Sequence, residues 1–140
     1  MKKILVGVGV LIAILLGGYV YTQFEWQQPV VQHTETRTIE VALAIEGVLP
    51  EGRAEVPEGM TALDLLRSES REKGFVMGEK EYAGLGILVE RIGEFKNGTD
   101  GKYWTYTVNG VFAPVGADVY ALKDGDAIEW TFVVPDSSSY

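Results

Sequence analysis

Residues 101–132, GKYWTYTVNGVFAPVGADVYALKDGDAIEWTF, leave little room for anything but β-structure. Tyr103, Trp104 and Tyr106 crowd one short strand ahead of Asn109-Gly110. That dipeptide suits a type I′ turn, in which both residues take positive φ. Asp124-Gly125-Asp126 marks a second turn, and Ala127 to Val134 follows as a closing strand. Large rings alternate along a strand and so point to both of its faces. No catalytic set accompanies them, so the stretch argues for a small β-rich domain that binds rather than reacts.

The rest of the chain supports that plan. Thr38 to Glu46 alternates, with Ile39, Val41, Leu43 and Ile45 on one side, as a half-buried strand does. Gly47 to Gly52 turns the chain, and Arg53 to Val56 returns as a short strand. Thr61 with Asp64 three positions on resembles a helix cap. Leu63, Leu65 and Leu66 form the apolar stripe of a helix that stops at Lys73-Gly74. So short a helix must lay its leucines on a sheet to persist. Phe75 to Tyr82 and Ile87 to Ile92 read as strands around a glycine-rich turn, residues 95–102 as a hairpin loop, and Ala117 to Leu122 as a helical turn. A hairpin, a helix and then several strands predict an α+β, β-grasp-like sheet with one helix packed across it.

Ahead of this domain, Lys2 and Lys3 precede residues 4–21, ILVGVGVLIAILLGGYVY, which carry no charge. That run meets the lower limit of about 18 residues for a membrane-spanning helix. The lysines orient the following domain outside the cytoplasm, and Tyr19, Tyr21 and Trp26 suit the outer interface. A cleaved signal peptide is the competing reading, disfavoured by the length of the run and the lack of a small-x-small site. The chain thus divides into an anchor or signal segment over 1–26, a linker over 27–37, a domain over 38–135 and a tail over 136–140.

Chemistry is constrained by what is missing. There is no cysteine, hence no disulfide, no thiolate and no lipid attachment at a cysteine. The sole histidine, His33, lies in the linker with no second ligand to share a metal. The serines have no base in the domain to activate them, so no enzyme is expected. The Asp124-Gly125-Asp126 and Asn97-to-Gly101 turns lack the spacing of a calcium loop, so no metal site is expected. A net charge of −8 disfavours nucleic acid as a partner. The residues to test first as a ligand-binding set are Tyr103, Trp104, Tyr106, Asn109 and Phe112, whose rings offer flat apolar faces.

Four segments together resemble a known family: VPEGMTALDLLR (56–67), the glycine-rich strand pair near Gly84 to Ile92, YWTYTVNG (103–110) and YALKDGDAIEW (120–130). The set is similar to the transcobalamin-like C-terminal domain family, over residues 38–134. The resemblance implies a β-grasp-like fold, an extracytoplasmic setting and, as a ligand class, a corrinoid such as cobalamin, with no cofactor otherwise. In the carriers of that family a large helical domain closes over the vitamin. No such domain lies in this sequence, and half a clamp buries half a ligand. Corrinoid contacts would map to the Tyr103-Trp104 region and the loop from Val111 to Asp118. A structural or adhesive module that contacts another envelope protein is the alternative. TVNG and LKDGDAIE also resemble the end of ubiquitin-like sulfur carriers, but the C-terminal diglycine those require is replaced by Pro-Asp-Ser-Ser-Ser-Tyr.

Overall fold

The computed structural model describes residues 37–135. The membrane segment expected over 4–21, most of the linker and the tail lie outside them. Among the described residues no helix is long and apolar enough to cross a membrane.

Eight strands and one α-helix make an α+β domain: β1 (Thr38–Ile45), β2 (Leu49–Pro57), α1 (Ala62–Lys73), β3 (Met77–Tyr82), β4 (Gly86–Ile92), β5 (Phe95–Lys96), β6 (Tyr103–Val108), β7 (Val111–Phe112) and β8 (Ala127–Val133). They form a five-stranded sheet, ordered β2-β1-β8-β6-β7, and a three-stranded one, β3-β4-β5. The first and last strands lie side by side and parallel, with Leu43 opposite Ile128 and Ile45 opposite Trp130. Every other strand pair is antiparallel.

The alternation of β1 fixes its register, since a one-residue slip would turn Val41, Leu43 and Ile45 outward. All three are buried, as are Ile128, Trp130 and Phe132 on β8. The helix lays Ala62, Leu63, Leu65 and Leu66 on that face with no exposure at all, each leucine contributing about 1.5–3 kcal/mol of burial. Val89 and Ile92 of β4 join the same core. Thr61 caps the helix by accepting from the Asp64 amide at 3.1 Å, while its hydroxyl donates to Asp64 Oδ2 at 2.9 Å. That hydroxyl, with Arg67 behind it, holds the Asp64 carboxyl below its ordinary value. Gly74 ends the helix at φ 78°, a left-handed conformation that favours glycine.

The expected strands form two sheets rather than the single one predicted, β3 starts at Met77 rather than Phe75, and other elements differ as well. β2 begins at Leu49 and so is longer than the short return strand read from Arg53 to Val56. Residues 95–96 and 111–112, read as loop, form the short strands β5 and β7. Ala117 to Leu122 makes a hydrogen-bonded turn, with Tyr120 N donating to Gly116 O, and no helix follows. The short strands escape a sequence reading because two residues are too few to display a period.

Candidate functional site

Strand β6 sorts its rings as the pleat requires. Trp104 and Tyr106 face the core, opposite Phe132 and Trp130, while Tyr103 takes the outer face opposite Val133. Trp104 is 5% exposed. Its ring lies 5.2 Å from Phe132 and 6.1 Å, edge-on, from Phe95. Its indole N–H donates to Phe95 O at 2.9 Å, and its amide donates to Asn97 Oδ1 at 2.8 Å. Trp104 is therefore a core residue with its polar handle already used.

Tyr106 stacks on Trp130, centroids 5.1 Å apart and planes 26° from parallel. Its hydroxyl donates to Val115 O at 2.6 Å, which ties the 113–118 loop across the strand. Burial, helped by Tyr120 and Asp118, pushes that hydroxyl's pKa up to about 12. Asn109 and Gly110 have φ of 53° and 78°, as a type I′ turn demands. The Asn109 amide group donates to Asp126 Oδ1 at 3.0 Å, and its carbonyl accepts from Ala127 N at 2.9 Å. Asn109 thus joins the hairpin tip to the start of β8. Phe112, opposite Thr107, shares the outer face with Tyr103, and both are exposed. The five residues do not converge: two point inward, one locks a turn, and two stand on the open face.

The loop after β7 is fastened at several points. Asp118 Oδ2 accepts from Ile87 N at 3.2 Å, binding the loop to the β3–β4 hairpin. Ala117 O and Tyr120 O accept from Leu63 N and Ala62 N at 2.9 and 3.0 Å. With Thr61, they satisfy the first amides of α1 that would otherwise be orphaned. Asp126, 5% exposed, accepts from Asn109, Tyr120 and the Lys123 amide. Asp124 Oδ1 accepts from Glu40 N at 2.9 Å. These turn carboxylates are committed to internal hydrogen bonds, and among the described residues no three His, Cys, Asp or Glu side chains are placed to hold a metal.

Beside this rigid framework stands an apolar rim. Leu85, at the hairpin tip, is 87% exposed, and Val115 and Val119 of the loop that Asp118 ties to this hairpin are also exposed, as is Val111 of β7. Leu85 sits between Gly84 and Gly86, both at positive φ. An apolar residue flanked by two turn glycines is the signal that could have singled out this tip in the sequence. Shallow grooves lie on the five-stranded sheet and along its edge.

Eight strands in two sheets with one helix define a domain of α+β architecture. The family described as "Domain of unknown function (DUF4430)" matches residues 59–133, and the chain belongs to it. The crystal structure of haptocorrin in complex with Cbi has a similar fold, with a TM-score of 0.60 at 17% identity over 69% of this chain. The match spans 26% of that chain, so this protein corresponds to about a quarter of haptocorrin. A protein of Ruminococcus gnavus aligns with a TM-score of 0.46 at 20% identity, over 69% of this chain and 96% of that one. No curated protein sequence matches.

Proposed function

We propose that this domain is a non-catalytic binding module, carried outside the cytoplasm on a membrane anchor, and that its ligand is a corrinoid or another flat apolar molecule. The observation that carries the reading is the rim: Leu85 held out on a hairpin that Asp118 fastens to the loop bearing Val115 and Val119. Single exposed apolar residues are ordinary, whereas several on one braced edge mark a recognition surface. The Cbi complex of haptocorrin supports the ligand class, and the uncharged run over 4–21 supports the anchor. The first and last strands paired in parallel at the sheet centre, with one helix across it, support the β-grasp-like reading.

Titration of the full chain with hydroxocobalamin tests this. Trp104 and Trp130 are buried, so binding quenches them by energy transfer rather than by contact. Saturable quenching is expected, weakened about tenfold, roughly 1.4 kcal/mol, in Leu85→Ser. Quenching no greater than the inner-filter effect at high micromolar ligand would end the corrinoid reading. The alternative, an adhesive module for an envelope protein, is favoured by the tie from Tyr106 to Val115, which makes the 113–118 loop a brace rather than a lid. It predicts retention of a specific envelope protein by the full chain, lost in Leu85→Ser.

A further inference from the structure

A second surface lies along the edge of the five-stranded sheet. Strand β2 is outermost and pairs with β1 alone. An antiparallel edge turns the N–H and C=O of alternate residues outward. Among the described residues, nothing takes up the outward backbone groups of residues 51–56. Beside this edge a groove of about 320 Å³ runs between β2 and α1. Leu43, Val56 and Leu65 give it an apolar lining, and Ser68, Glu69 and Glu72 of α1 form the far wall. The groove exists because β2 sets Gly52 and Ala54 opposite Leu43 and Val41, where larger side chains would fill it.

The charges along this edge are unbalanced. Arg53 is committed to Glu40 at 2.6 Å and Lys73 to Glu72 at 2.7 Å. Glu51, Glu55 and Glu69 have no cationic partner among the described residues. We propose that β2 and this groove receive an extended segment of a partner protein as a sixth strand, in which apolar residues alternate with lysine or arginine. The period of a strand dictates that pattern. One side of the added strand enters the groove, and the other lies beside Glu51 and Glu55. Pro50 and Pro57 bracket the accessible backbone, which leaves about 20 Å, or six residues, for pairing. The surface is separate from the apolar rim and does not depend on what the rim binds.

Amide hydrogen exchange on the full chain in nanodiscs, with a heptapeptide of alternating lysine and valine, tests the assignment. The peptide is expected to protect residues 51–56, while its counterpart with glutamate for lysine does not at the same concentration. Ser68→Trp, which fills the groove from the helix side, and Glu55→Lys, which leaves the groove open and changes an exposed side chain, should each weaken binding about tenfold. Protection spread evenly over the acidic surface, or unaffected by both variants, would overturn the proposal. So would protection of residues 51–56 in the peptide-free chain: if concentration-dependent, a second copy holds the edge, and if not, the chain's own outlying segment does.

Discussion

The two sheets of this domain are built to different standards. The five-stranded sheet is sealed on one face by α1 and by the ring cluster of Trp104, Phe132 and Phe95. The three-stranded sheet commits Val89 and Ile92 to the core and leaves Tyr82, Leu85 and Leu88 outside it. Its fastenings to the rest of the domain are specific: Arg67 of α1 pairs with Glu79 of β3, Asp118 accepts from Ile87 N, and Trp104 donates its indole N–H to Phe95 O and its amide to Asn97 Oδ1. The contrast teaches a division of labour. Burial in the large sheet supplies stability, and the small one spends little stability while presenting apolar side chains to solvent.

Several substitutions would break or sharpen this contrast. The largest effect belongs to Trp104→Ala, expected to cost about 3–5 kcal/mol in urea unfolding through loss of packing and of the bond to Phe95 O. A cost no larger than that of Leu88→Ala, on the small sheet, would erase the distinction. Asp126→Ala strips an acceptor from Asn109, Tyr120 and the Lys123 amide at once, for about 2–3 kcal/mol. Thr61→Ala should cost about 1 kcal/mol and should blunt the acid dependence of stability. Asp64 is depressed in the folded state, so its contribution is present above the unfolded value of 3.8 and is lost as pH falls through the lower folded value. At the alkaline end the sign reverses. Tyr106 holds its proton to about 12, so its contribution is complete below pH 10 and disappears as pH rises towards 12, a window read from the difference in 295 nm absorbance between the parent and Tyr106→Phe. The smallest effect is that of Leu85→Ser, within about 0.5 kcal/mol of the parent, since its side chain meets water in either state.

How much of this was legible in the sequence depended on local periodicity. β1, α1 with both of its caps, the Asn109-Gly110 turn and β8 could be read because alternation and capping residues announce them within a few positions. The split into two sheets could not be read, because strand pairing between distant segments leaves no local mark. The site expectations divided for the same reason. Ring content located β6, but which rings face the core follows from pairing with β8, and Trp104 proved internal while Tyr103 and Phe112 stand outside. Leu85 was passed over because an aliphatic residue in a glycine turn carries no obvious chemistry, although its exposure is the greatest among the large apolar side chains described.

The parallel pairing of β1 with β8 also governs when the chain can fold. Among the described strands, β1 must wait for β8 before the sheet centre closes, and a pairing of such long sequence separation slows folding relative to the local hairpins β1–β2 and β3–β4. Until β8 is made, Ala42 to Ile45 lack their parallel partner, so the middle of the sheet is completed only once synthesis has passed Val133.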